Sequence, residues 1–231
     1  MKKVLVIGVK GRVGSVIAKA LSSRCHVTKF DLPECDLASY EDVSRHVAGK
    51  DIVIYAAQAL TDGEYESWRS GHLDPKNQLY EMNVLTAIIE HKVPRFIFSS
   101  SVHADNFLDY EEEHLLTVPG SFRPKSPYGA HKIILEQTVK FYALHYGFEA
   151  IGVRLGGVTP DNTVRPLGKE PVVWLSHRDL ATLAEHLVST EKVSNSYEVF
   201  YAVSDNNGRI HDVNNSFGWF PQENAKDFLQ N

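Results

Sequence analysis

Three observations on this 231-residue chain predict an α/β fold with a doubly wound parallel sheet. Short apolar runs alternate with segments of helical periodicity along nearly the whole length. Several of those runs are continuously apolar rather than alternating, as strands covered on both faces require. The first run, Val4-Leu5-Val6-Ile7, passes directly into Gly8-x-x-Gly11-x-x-Gly14 and a helical pattern. That strand–turn–helix is the opening unit of such sheets.

The elements follow in order. Strands are expected at Val4–Gly8, His26–Asp31, Asp51–Ala56, Arg95–Ser100, Ala150–Leu155 and Tyr197–Val203. Helices are expected at Gly11–Ser22, Ser39–Ala48, Pro75–His91, Pro127–Tyr146 and His177–Ser189. Ser39 followed by Asp42 reads as a cap, and Pro75 suits a helix start. Right-handed crossovers then give one parallel sheet with helices on both faces. The whole of 1–231 reads as a single domain of this Rossmann type. Residues 156–176, rich in Gly, Pro and polar side chains, and residues 204–231 are expected as substrate-side loops and a small C-terminal appendage.

Composition narrows the function. Hydrophobic content of 43% and charged content of 23% are ordinary for a globular protein. A net charge of -5 implies no basic face for nucleic acid. No apolar run is long enough to span a bilayer, and only four apolar residues follow Met1-Lys2-Lys3 before Gly8, so no secretory leader is expected. Cys25 and Cys35 form no metal-ligand spacing with the histidines. A reduced, cytoplasmic setting without a metal is the simplest reading.

The glycine loop has the chemistry of a dinucleotide grip. Gly8 permits a sharp turn, Gly11 lets backbone approach a pyrophosphate, and Gly14 lets the helix pack close to the sheet. The helix N-terminus, at Arg12 and Val13, offers N–H groups and partial positive charge to phosphate. Asp31 closes the second strand about 20 residues past the loop, where a carboxylate accepts from ribose hydroxyls and repels a 2′-phosphate. NAD is therefore favoured over NADP, although Lys10 and Arg12 pull the other way. Asp36-Leu37 is an adenine contact or the start of the next helix.

A second constellation is Ser101, Tyr128 and Lys132. Tyr128 and Lys132 stand at i and i+4, one turn apart on one helix face. A neighbouring ammonium stabilises a phenolate and readies tyrosine as a base. Ser101 follows the apolar Phe96-Ile97-Phe98, at the carboxyl edge of the sheet where ligands bind. Arg154 ends another apolar strand at that edge. Its guanidinium suits bidentate carboxylate binding, or else an ion pair beneath the loop. His103 faces substrate or packs against its neighbours. Ser176 and His177 read as a helix cap, with ligand contact the alternative for Ser176. Phe217, Trp219 and Phe220 read as packing residues, with Trp219 a candidate to close the pocket.

In this order along the chain, the residues resemble the extended short-chain dehydrogenase/reductases. The resemblance rests on the glycine loop, Asp31, Asp36-Leu37, Ala56-Ala57, Asn83, Ser99-Ser100-Ser101 and Tyr128-Gly129-x-x-Lys132. It implies that Tyr128 is the catalytic base, that Lys132 also holds the nicotinamide ribose, and that Ser101 bonds the reacting oxygen. It also implies cofactor contacts at Ala56, Ala57 and Asn83, and a homodimer through the helices at Pro75–His91 and Pro127–Tyr146. Phe98-Ser99-Ser100-Ser101-Val102-His103, Val153-Arg154-Leu155-Gly156 and Trp174-Leu175-Ser176-His177-Arg178-Asp179 are similar to segments of the uronate dehydrogenases within that group. Val102 departs from them, standing where they carry asparagine.

The expected function is therefore NAD-dependent oxidation of a hexuronic acid, glucuronate or galacturonate, at C1 to an aldarolactone. Ser101, His103 and Arg154 are then the substrate-binding residues. Two alternatives share parts of this pattern. A nucleotide-sugar epimerase, dehydratase or reductase needs a nucleotide site for which the C-terminal region is short. A non-catalytic NAD sensor has no need of the tyrosine base.

Overall fold

β1 (Lys3–Ile7) shows how the sheet is built. Val4 and Val6 fall in one buried apolar cluster, and Leu5 and Ile7 in the other. Successive side chains of a strand point to opposite faces, so a strand buried on both must be apolar throughout. The sheet thus forms the middle of three layers. The computed structural model describes residues 1–59, 74–111, 113–120, 122–191 and 196–229.

After β1 come α1 (Arg12–Leu21), β2 (His26–Phe30), α2 (Tyr40–Val47), β3 (Ile52–Tyr55) and α3 (Lys76–Glu90). Then follow β4 (Arg95–Ser101), α4 (Pro127–Tyr146), β5 (Glu149–Leu155), α5 (Glu170–Val173), α6 (His177–Ser189) and β6 (Tyr197–Ala202). The six strands are parallel, in the order β2-β1-β3-β4-β5-β6. α1 and α6 cover one face through Ile17, Leu21, Leu180, Leu183 and Leu187. The other face is covered by α2, α3 and α4 through Val43, Val47, Val84, Ile88, Leu135 and Val139. Each such side chain removed from water contributes about 1.5–3 kcal/mol.

The doubly wound expectation holds, and the strand order reverses direction between β1 and β3. That reversal opens a crevice beyond the carboxyl ends of the two strands. Three helices start on serine caps. Ser39 accepts from Asp42 N, Ser126 from Gly129 N and Ser176 from Asp179 N. Ser176 is therefore a cap, as expected. The short helix α5 was not anticipated. It lies inside the loop expected over 156–176, whose Gly157 bridges Trp174 and whose Val164 bridges Leu229. The rings of Trp174 and Phe228 meet at 4.8 Å, so the loop and the C-terminal segment pack as one layer.

Trp219 is wholly buried, and its indole N–H donates to Thr182 of α6. It is a core residue rather than a gate. Phe220, expected as a packing residue, is exposed.

Candidate active site

At the crevice, Gly8 has φ +87, and a Cβ there would stand 2.7 Å from Ala57 N and 2.8 Å from Ala56 C. The ends of β1 and β3 thus touch through bare backbone. A Cβ at Gly14 would meet Gly8 O at 2.1 Å, so α1 seats directly on the turn. Gly11 N donates to Gly8 O at 3.0 Å, closing the loop. Gly11 is also the N-cap of α1 and brings no side chain to its first amides, those of Arg12, Val13 and Gly14. α2, α4 and α6 cap theirs with serine, whereas no side-chain cap stands at the start of α1.

Asp31 lies beside this turn. Its carboxylate accepts from Lys10 N at 2.7 Å and from Leu32 N at 2.9 Å, tying the glycine loop to the end of β2. The Lys10 ammonium is engaged by Glu34 at 2.9 Å and by Leu32 O. Asp36 folds into a local turn, its Oδ1 accepting from Ala38 N at 2.9 Å. Asn83 of α3 donates its amide to Leu37 O at 2.8 Å and Ala38 O at 3.3 Å. Asn83 therefore holds the Asp36–Leu37 turn in place.

At the other end of the crevice, Ser101 closes β4 and caps a one-turn 3-10 helix, Val102–Ala104, by accepting from His103 N at 3.2 Å. That turn packs on the first turn of α4. The His103 ring meets the Tyr128 ring edge-on at 5.8 Å, and the His103 carbonyl lies over Gly129. Lys132 is 2% exposed. Its ammonium donates to Ser99 O at 3.1 Å and lies 5.4 Å from the Tyr128 ring centroid. The fold thus brings Ser101, His103, Tyr128 and Lys132 to one edge of the sheet. Val102 points away, 3% exposed in the apolar cluster that includes Phe107 and Leu116.

The expectation for Arg154 is corrected. Its side chain is fully buried, and its guanidinium is bidentate to Glu136 of α4, Nε to Oε1 and Nη2 to Oε2, both at 2.9 Å. Nη1 donates to the Tyr201 hydroxyl at 2.9 Å. Burial opposes the charge, but the Glu136 carboxylate outweighs it and raises the guanidinium pKa further above its ordinary value. A substrate carboxylate has no access to these donors. The reason is spatial: Glu136, two turns along α4 from Tyr128, already occupies the fork that a substrate was expected to fill.

A family model described as "NAD dependent epimerase/dehydratase family" matches residues 4–163. The chain belongs to that family. It is an enzyme of the extended short-chain dehydrogenase/reductase type, and its cofactor is NAD. A uronate dehydrogenase of Pseudomonas syringae is 29% identical over 218 residues, covering 88% of this chain and 75% of that protein. A tyrosine-to-alanine mutant of the uronate dehydrogenase from Agrobacterium tumefaciens, solved in complex with NAD, superposes with a TM-score of 0.79 at 25% identity, covering 99% of this chain and 87% of that one. The glucuronic acid dehydrogenase from Chromohalobacter salexigens gives a TM-score of 0.80 at 25% identity, covering 98% of this chain and 86% of that one.

The residues present fit the family's cofactor. The cleft between Gly8 and Ala57 and the seat of Gly14 are closed to any side chain, and α1 begins with no side-chain cap. A pyrophosphate on that N-terminus meets backbone donors and the positive end of the helix. Among the described residues no group of three or more His, Cys, Asp or Glu is placed to hold a metal, and no helix is long and apolar enough to cross a membrane.

Two residues of the site carry roles that the sequence reading does not assign. Gly129 carries the contact between α4 and the turn after Ser101. Glu136 belongs to the same helix face as Tyr128 and Lys132, at i+8 and i+4. The spacing Tyr128, Lys132, Glu136 was available as a signal, because three such residues share one stripe of a helix.

Proposed function

We propose that this dehydrogenase oxidises a hexuronic acid, glucuronate or galacturonate, at C1 to the aldarolactone. The observation carrying this reading is the meeting of Tyr128, Lys132 and the turn after Ser101 at one sheet edge, in a chain similar to uronate dehydrogenases. Tyr128 removes the proton of the C1 hydroxyl. Lys132, buried beside the ring, sets its ammonium next to Tyr128 and also holds the nicotinamide ribose. The Ser101 hydroxyl orients the substrate oxygen, and His103 lines the same side. NAD, when bound, supplies the hydride acceptor. Gly8, Gly11, Arg12, Val13 and Gly14 hold its pyrophosphate. Asp31 takes the adenosine ribose, and Asp36, Leu37, Ala56, Ala57 and Asn83 shape the remaining wall.

With Arg154 committed to Glu136, the substrate carboxylate needs another cation. Lys169 is half-buried, and its ammonium donates to the carbonyls of Phe107, at 3.1 Å, and Tyr110, at 2.5 Å. Phe107 packs on His103 at 5.0 Å between ring centroids, and this contact with the proposed substrate residue supports assigning the ammonium to the same side. An ammonium has three donors, and the one left over is assigned to the carboxylate.

The exposed Leu79 and Met82 of α3 and Ile134, Phe141 and Leu144 of α4 form an apolar surface suited to a homodimer. Buried free thiols at Cys25 and Cys35 suit a cytoplasmic location.

The test is NADH production with glucuronate, galacturonate, glucose, galactose and UDP-glucose. Uronates should exceed the matching hexoses in kcat/KM by roughly 2–5 kcal/mol. Equal turnover of glucose and glucuronate would remove the uronate reading. Conversion of UDP-glucose without net NADH would put an epimerase in its place.

A further inference from the structure

A chain of buried polar groups surrounds the Ser101 end of β4. Ser100, Arg154 and Tyr201 are ladder partners across β4, β5 and β6. The Ser100 hydroxyl donates to Glu136 Oε1 at 2.5 Å, and Glu136 accepts the bidentate fork of Arg154. Arg154 passes to the Tyr201 hydroxyl, which donates to Asp105 Oδ2 at 3.4 Å. Asp105 is the C-cap of the turn Val102–Ala104. The chain therefore leaves β4 one residue before Ser101 and returns four residues after it.

Every member is buried, Arg154 and Tyr201 completely. Glu136 is one helical turn beyond Lys132 and two beyond Tyr128, so whatever fixes Glu136 fixes the face that carries both. Apolar contact alone would hold α4 on the sheet as firmly, since a buried ion pair adds little net stability. What it does not supply is direction. A bidentate guanidinium–carboxylate pair is planar and fixes orientation as well as distance.

We infer that Ser100, Glu136, Arg154 and Tyr201 are positioning residues that set Ser101 against the Tyr128–Lys132 face of α4 for proton transfer. This rests on the assignment of Ser101, Tyr128 and Lys132 as the reacting groups. The argument is geometric: a shift of about 1 Å at such a site costs up to a hundredfold in rate.

The test uses the full-length NAD-loaded enzyme and whichever of glucuronate, galacturonate, glucose or galactose it turns over best. Ser100→Ala and Tyr201→Phe each remove one hydroxyl and leave the Arg154–Glu136 pair in place. Both should keep NAD affinity and substrate KM near wild type and remain folded at the assay temperature, with Tm lowered in Tyr201→Phe, while kcat falls by roughly ten- to a hundredfold. Ser100→Thr, which keeps the hydroxyl, should restore kcat. A loss of kcat only in proportion to unfolded protein, or wild-type kcat in both variants, overturns the positioning role. Tyr128→Phe run alongside separates the two levels. Near-full activity in Tyr128→Phe defeats the assignment of the base itself, whereas its loss with unaffected Ser100→Ala and Tyr201→Phe defeats only the positioning chain.

Discussion

Gly129 lies so close beneath His103 that a Cβ at this position would stand 1.9 Å from the His103 carbonyl oxygen. The contact joins the first turn of α4 to the turn that Ser101 caps. Both partners are backbone, so no rotamer change relieves the clash. Gly129→Ala should therefore push Tyr128 away from the Ser101 edge. Expected are a stability loss of about 1–3 kcal/mol by urea unfolding and a fall in kcat larger than the unfolded fraction explains. Wild-type kcat in Gly129→Ala would show that the two turns need not touch.

Asp31 does two jobs at once. Its carboxylate accepts Lys10 N and Leu32 N, and it is the group proposed above for the adenosine ribose. The Lys10 ammonium, a loop cation whose charge favours phosphate, is paired with Glu34. Turnover with NAD should exceed that with NADP by at least about tenfold, or ~1.4 kcal/mol. Asp31→Ala should narrow the ratio and also loosen the glycine loop, raising KM for both cofactors. Equal use of NADP by the wild type would assign Lys10 and Arg12 to phosphate after all.

Much of this architecture was legible because its signals are local. The buried strands read as apolar runs since both faces are covered, and Tyr128 and Lys132 are readable at i and i+4 because a helix has a fixed period. The glycine loop was legible because positive φ and close backbone approach exclude side chains. Arg154 was not legible. Its partner lies 18 residues earlier in the chain, and only the β4–β5–β6 ladder and the seating of α4 decide that they meet. The packing reading holds for Phe217 and Trp219 but fails for the exposed Phe220, because burial against α6 depends on where the C-terminal segment crosses, which no periodicity records. The four-residue α5 is too short for a periodic signal at all.

Arg154→Met tests the corrected role directly. It strands the Glu136 carboxylate in a dry interior, and breaking a buried pair from one side costs about 3–5 kcal/mol. Turnover of glucuronate and glucose should fall alike, because neither substrate loses a contact. Arg154→Met combined with Glu136→Leu should recover most of the stability by urea unfolding, since no charge is then left unpaired. A selective loss on uronates in Arg154→Met would return the arginine to the substrate site.

His211 sets an acid limit on the fold. It is fully buried between Tyr201, at 4.6 Å, and Phe107, at 6.1 Å, and among the described residues neither ring nitrogen has a hydrogen-bond partner. Burial disfavours the imidazolium first, and the charges of Arg154, Arg209 and Lys169 disfavour it further, so the pKa falls from 6.5 to about 3. Between those values the unfolded chain binds a proton that the native state refuses. Stability therefore declines as pH drops below 6.5 and rises again as pH is raised through that window. At pH 5 the shortfall is 1.5 pH units below 6.5, or about 2 kcal/mol. His211→Phe keeps a ring among aromatic neighbours and removes the titrating group, along with two unpaired nitrogens. Urea unfolding of wild type and variant at intervals from pH 7.5 to pH 5 should show the variant gaining about 2 kcal/mol relative to wild type across the range. The other titrating groups are common to both proteins and cancel in the difference. Parallel stability curves would mean that His211 takes up its proton in the native state as readily as in the unfolded one.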